Sequence, residues 1–213
     1  TNALDKVFIR NMITNEEEEL IFTDEKVYDP SVSLRQKDRD TDEIYISYST
    51  PKTQNRTYLY NIKTKKKKLV KEQIIPSGHE PNDYIVERLE CPSHDGRVVP
   101  ITITRHKNTP IDGSAELLLY GYGSYGHSMS PTFSSTRLSL IKRNIIWATA
   151  HIRGGMERGM KWWKEGKLLN KKNTFKDYIA CAKFLIEKKY TSKKKIIGMG
   201  GSAGGLLMGV VVN

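Results

Sequence analysis

The sequence predicts an α/β fold preceded by a stretch of antiparallel strands. Three observations carry this reading. Short runs rich in Tyr, Ile, Val and Thr alternate with polar turns as far as about Lys71. Beyond about Asp83, buried-strand patterns alternate with helical ones. The last of those strands runs into a glycine-rich turn that opens a helix.

Of 213 residues, 38% are hydrophobic and 28% charged, so the chain can bury a core as a globular protein does. No run approaches the ~20 apolar residues that span a bilayer. The start TNALDKVFIR lacks the basic flank and apolar core of a leader. A soluble, cytoplasmic protein with no membrane partner is expected. The two cysteines, Cys91 and Cys181, stand in no metal-like or redox-like spacing and read as plain thiols, one near a strand end and one on a helix's buried face. With five scattered histidines, no metal and no cofactor are expected. The net charge of +11 rests on lysine runs at Lys65 to Lys68, Lys171 with Lys172, and Lys193 to Lys195. These fall in apparent turns, without the arginines and interleaved aromatics that nucleic acid recognition favours, so they read as solvated loops and no nucleic acid partner is expected.

In the first region KVFIR, LIFTD, EIYISYST, RTYLYNI and KKLVK read as strands, two of them joined by a turn near Lys63 to Lys66. NRTYLYNIKTKKKKLV has the grammar of one hairpin of a propeller blade. A propeller needs at least about four blades, so residues 1–75 read as the end of something larger. IIPSGHEPND then marks a boundary by composition, and residues 76–213 read as a second domain with a different grammar.

There YIVERLEC and VVPITITRH read as strands joined by a turn at Ser93 to Arg97, and ELLLY as a buried strand. RLSLIKR has one helical face and NIIWATA is a second buried strand. FKDYIACAKFLIEKKY places Phe175, Ile179, Ala182, Leu185 and Ile186 at helical spacing, with Asn173 or Thr174 as a cap. KIIGM reads as a short buried strand and Gly204 onward as a small-residue helix. Strand and helix in alternation make a doubly wound sheet.

Gly200-Gly201-Ser202-Ala203-Gly204 matches G-x-S-x-G. In a nucleophile elbow of the α/β-hydrolase kind, the serine occupies a strained strand-to-helix turn that lifts its hydroxyl above the sheet. Glycines at minus two and plus two, here Gly200 and Gly204, make room for that turn. The helix that follows directs its positive end at charge developing on an acyl group. Ser202 is therefore the expected nucleophile and the Ala203 backbone amide one oxyanion donor. A phosphate-binding turn is the competing reading, but no Lys-Ser/Thr follows. The loop in LLLYGYGSYG is placed to supply a second donor through the Tyr122 phenol; on spacing alone Tyr120, Tyr122 and Tyr125 read equally as packing aromatics.

LLLYGYGSYG, AHIRGGMERG, NKKNTFKDYIACAKFLIEKKYTS and GGSAGG, in this order and at these separations, closely resemble the prolyl oligopeptidase family, in particular its members that cleave short peptides after Lys or Arg. The resemblance is strong from about Tyr84 onward. It implies that residues 1–75 are the C-terminal part of a β-propeller domain and 76–213 the N-terminal part of an α/β-hydrolase domain, with Ser202 as nucleophile, Tyr122 and Ala203 as oxyanion donors, and Tyr125 near the substrate. It assigns no role to His151 or Arg153. Where the family commonly has a third glycine after the arginine, this chain has Met156, and Arg158 replaces a more usual apolar residue.

Such hydrolases present serine, acid and histidine in that order. His79, His94, His106, His127 and His151 all precede Ser202, so the acid and the histidine are expected beyond Asn213. The expected function is a serine oligopeptidase acting on short basic peptides, with a complementing C-terminal fragment supplying Asp and His. A catalytically dead remnant and an esterase or lipase of the same fold are the alternatives.

Overall fold

The computed structural model describes residues 4–33 and 41–213. They form two compact units, one of residues 4–79 with 131–134 and one of residues 80–130 with 135–213. Among the described residues no helix is long and apolar enough to cross a membrane.

The first unit is all β. β1 (Phe8–Arg10) pairs antiparallel with β2 (Glu17–Glu19). β3 (Asp29–Ser33), β4 (Glu43–Ser49), β5 (Arg56–Asn61) and β6 (Lys67–Glu72) form a four-stranded antiparallel meander in sequence order. That is the form of a propeller blade. Its core joins Ile46, Tyr48 and Tyr60 to Leu20 and Phe22. The β5–β6 turn closes as its sequence suggested: Asn61 Oδ1 accepts from the Lys63 and Thr64 amides, and Lys65 takes φ 60°.

One reading is corrected here and one strand was not foreseen. LIFTD is no strand: the ladder falls on the preceding glutamates, while Leu20 and Phe22 are buried for packing. β3 carried little strand signal, and its Pro30 is tolerated because β3 is an edge strand.

The second unit is α/β. β7 (Tyr84–Pro92) and β8 (Val98–His106) form a long antiparallel hairpin. β9 (Leu117–Gly121), α1 (Ser135–Ile141), β10 (Ile146–Ala150), α2 (Met160–Lys164), α3 (Lys172–Glu187), β11 (Ile196–Met199) and α4 (Ala203–Val212) follow. The sheet order is β11-β9-β10-β8-β7, with β9 parallel to both β10 and β11. The chain thus winds from β9 to one side and returns to the other.

Alternation along β9 and β10 sends Leu117, Leu119, Ile146, Ala148 and Ala150 into the core shared with Tyr178, Cys181 and Leu185 of α3 and Leu207 of α4. On the opposite face Tyr120 stacks on Trp147, and the Arg137 guanidinium of α1 lies 5.4 Å from the Trp147 ring. Cys91 and Cys181 are buried free thiols.

β11 departs from expectation. It is the edge strand, and Ile197 and Met199 are exposed rather than buried. In α3 the buried stripe is Thr174, Asp177, Tyr178, Cys181 and Leu185, whereas Ile179 is exposed. α3 starts at Lys172, so neither Asn173 nor Thr174 caps it; Thr174 Oγ1 donates instead to the Arg153 and Gly166 carbonyls.

Candidate active site

Parallel strands β9 and β11 lie side by side, Met199 opposite Tyr120, so the segments leaving their C-terminal ends are neighbours. With β10 on the other side of β9, this is where the winding reverses, the place at which open α/β sheets form binding crevices. One segment is the turn through Ser202 and the other the loop Tyr122 to His127.

Ser202 stands at the N-terminus of α4 with φ 53° and ψ −119°, a backbone conformation that L side chains rarely adopt. A serine at a helix start ordinarily turns its hydroxyl onto the first amides, but Ser202 makes no such cap bond and is exposed. Around it the Gly204 amide donates to Gly201 O at 2.8 Å and the Gly205 amide to Ser202 O at 2.8 Å. Among the described residues no acceptor meets the Ala203 amide. A hydroxyl and an unspent backbone donor therefore stand together at the positive end of a ten-residue helix.

The two outer glycines are sterically required. A Cβ on Gly200 would lie 2.5 Å from Gly204 O, and one on Gly204 would lie 2.9 Å from Gly121 O. A Cβ on Gly201 would meet open space. The same contacts bring the end of β9 against the turn, with Tyr122 Cα and Cδ2 each 3.7 Å from the Gly204 Cβ position.

Tyr122 is half-buried, its ring edge-on to His127 with centroids 5.6 Å apart. Tyr125 has φ 56° and is 83% exposed. The structure thus brings Ser202, Ala203, Gly200, Gly204 and Tyr122 to one strand-end cluster and places Tyr125 at the exposed tip of the loop.

The loop is braced from behind. Gly126 N donates to Gly154 O at 2.9 Å, and a Cβ on Gly154, which has φ 100°, would lie 2.0 Å from Gly123 O. Gly154 therefore lets one loop press on the other, while Gly155 makes room for the Glu157 carboxylate. Arg153 itself is buried: its backbone N–H and Nε donate to Asp177 Oδ2 at 3.1 and 2.8 Å, and its guanidinium also reaches Asp95. Ser93 Oγ donates to Asp177 Oδ1 at 2.5 Å. These pairings hold the Asp95 carboxyl down at about 2 and raise the Arg153 pKa against the opposing effect of burial.

His151 is buried and its pKa is lowered by desolvation. Its Nε2 lies 2.8 Å from Arg88 Nη1 and 2.8 Å from Thr102 Oγ1. Arginine only donates, so Nε2 is an acceptor and the ring proton sits on Nδ1, facing Glu157 Oε1 at 3.7 Å. That imidazole is committed to the interior.

Sequence reading missed Asp177, Asp95, Ser93 and Lys171. Asp177 left one signal, a carboxylate among apolar residues at helical spacing. Lys171, expected to be solvated, is half-buried and donates to Gly123 O and Ser124 Oγ.

Residues 131–213 match the model of the prolyl oligopeptidase family. Over its full length the chain is 40% identical to dipeptidyl aminopeptidase BI of Pseudoxanthomonas mexicana, covering 29% of that protein. It is 37% identical to protease 2 of Moraxella lacunata, again over all of this chain and 30% of the relative. The solved structure of oligopeptidase B from Trypanosoma brucei superposes with a TM-score of 0.89 at 35% identity, covering 99% of this chain and 31% of that one. The chain thus spans under a third of the length of these relatives.

Proposed function

We propose that this chain, whose residues 131–213 match the prolyl oligopeptidase family, is a member of it and carries the nucleophile and oxyanion hole of a serine peptidase. In this reading Ser202 Oγ attacks the scissile carbonyl, while the Ala203 N–H and the Tyr122 hydroxyl receive the developing oxyanion. Tyr125 meets the substrate. One observation carries the reading: Ser202 is held at φ 53° at the start of α4 with its hydroxyl spent on no cap.

The attacking hydroxyl must lose its proton to a base within about 2.6–3.2 Å. His151 is not that base, because its Nε2 is committed to Arg88 and Thr102. We assign the histidine and its orienting acid to sequence outside these 213 residues, contiguous or supplied by a complementing chain. Without them, an oxyanion hole with binding retains about 10³–10⁴-fold acceleration. Residues 1–75 are then propeller and 76–213 the start of the peptidase domain. The substrates are short peptides cut after Lys or Arg, a preference supported by the motif resemblance and by the oligopeptidase B neighbours.

Fluorophosphonate labelling tests this. Ser202 is expected to label when a fragment carrying the acid and histidine is added, and the Ser202→Ala variant to stay unlabelled. Absence of labelling with and without the fragment would instead identify a dead remnant. A panel of amides with Arg, Lys or Pro before the scissile bond, set beside simple esters, tests the substrate class.

A further inference from the structure

We propose that Lys171 is a positioning residue for the oxyanion hole: it pins the Gly123–Ser124 turn and thereby fixes where the loop after β9 presents the Tyr122 hydroxyl. The proposal rests on the reading of Tyr122 as an oxyanion donor.

Lys171 immediately precedes α3, and its Nζ donates to Gly123 O at 2.6 Å and to Ser124 Oγ at 2.8 Å. Both acceptors lie within two residues of Tyr122. Among the described residues no carboxylate comes within 4.0 Å of this ammonium, whereas the half-buried Arg105 and the buried Arg153 each have one. Taking an ammonium partly out of water without a counter-ion is costly, and burial lowers the Lys171 pKa accordingly. What offsets the cost is the pair of bonds to this one turn, with the Phe175 ring centroid 5.9 Å from the ammonium as a weaker cation–π partner.

Backbone bonds close the turn as well, His127 N donating to Ser124 O at 3.0 Å and Gly126 N to Gly154 O at 2.9 Å. Ser124 is buried, and Gly123, at φ 62°, is wedged against Thr174 and Ile152, where a Cβ would lie 2.5 and 2.7 Å away. Packing there limits how far the backbone can shift, and Gly154, on which a Cβ would lie 2.0 Å from Gly123 O, closes on the carbonyl from one side. The Lys171 ammonium bonds the same oxygen and thereby holds its direction, and rotation of the Gly123–Ser124 peptide would carry the Tyr122 segment with it. Displacement of a catalytic donor by about 1 Å can cost on the order of 10² in rate.

The test is a double-mutant cycle on Ser202 labelling by fluorophosphonate, under conditions where the unmodified chain reacts. Lys171→Met is expected to slow labelling by about 10–100-fold, Lys171→Arg to restore part of the rate, and unfolding midpoints to stay close together. In a Tyr122→Phe background Lys171→Met should cost nothing further, because the donor it places is gone. An equal loss in both backgrounds overturns the proposal.

A second measurement needs no reactivity. With 3-fluorotyrosine placed at position 122 or 190 of the full chain, Lys171→Met should move or broaden the fluorine resonance of position 122 and leave position 190 in place. A resonance at 122 that does not respond overturns the positioning role. If the unmodified chain labels neither alone nor with the fragment carrying the acid and histidine, the nucleophile reading fails, and the fluorine spectra alone decide the part played by Lys171.

Discussion

Arg153 meets Asp177 side-on, Nε to Oδ2 at 2.8 Å and Nη2 to Oδ1 at 2.6 Å, with the two side chains 1% and 0% exposed. The pair ties the loop after β10 to α3, and that loop braces the Tyr122 segment. Removing Asp177 takes from the buried Arg153 its buried partner and leaves it Asp95 alone at bonding distance. Asp177→Ala is therefore expected to lower unfolding free energy by about 3 kcal/mol, read by urea denaturation. A loss below about 1 kcal/mol would mean the pair carries little of the fold's stability.

Asp95 gives the same cluster a pH signature. Bonds from Arg153 hold its carboxyl near 2, below the ordinary value of 3.8. The unfolded chain thus takes up the proton first, so the stabilisation is complete above about pH 4 and is lost as pH falls through the folded value near 2. Denaturation midpoints measured across that window should show a drop that Asp95→Asn removes. An unchanged drop in the variant would assign it to other carboxylates.

The backbone at Ser202 stores strain of about 1–3 kcal/mol. Ser202→Gly, which relieves it, should unfold at a higher midpoint than Ser202→Ala, which does not, by about 1 kcal/mol after glycine's extra unfolded-state entropy. Equal midpoints would argue against a strained elbow.

The two glycines before the serine should behave differently. Gly200→Ala puts a methyl 2.5 Å from Gly204 O and should destabilise by about 1–3 kcal/mol. Gly201→Ala meets open space and should stay within about 0.5 kcal/mol. Both differences are measurable by thermal unfolding.

If Tyr122 is an oxyanion donor, Tyr122→Phe should reduce the Ser202 labelling rate by about 10²–10³-fold while leaving the fold intact. A change of less than about threefold would return Tyr122 to a packing role.

Much of this was legible in the residues. The β7–β8 hairpin, β9, β10 and the last helix followed from alternation, continuous apolar runs and glycine punctuation, all local signals. The tight strand-to-helix turn at Ser202 was legible because a residue held at φ 53° there needs small neighbours at fixed offsets. β11 was misread as buried because an apolar run records what a strand favours, not whether neighbours cover it. The α3 stripe was displaced toward Asp177 because a carboxylate is scored as surface until its arginine partner is known.

The sequence by itself determined the chemistry on offer: a G-x-S-x-G turn between strand and helix, a tyrosine- and glycine-rich loop after a buried strand, and the order in which they come. Only the tertiary structure decided how these meet. It placed β11 beside β9 so that turn and loop adjoin, withdrew His151 into the interior behind Arg88, and turned Lys171 from a surface lysine into a brace on the Gly123 carbonyl. The reason is physical. Propensity and periodicity act over a few residues, whereas these contacts join segments 48 and 63 positions apart, and their partners become identifiable only once the sheet order fixes which strand ends are neighbours.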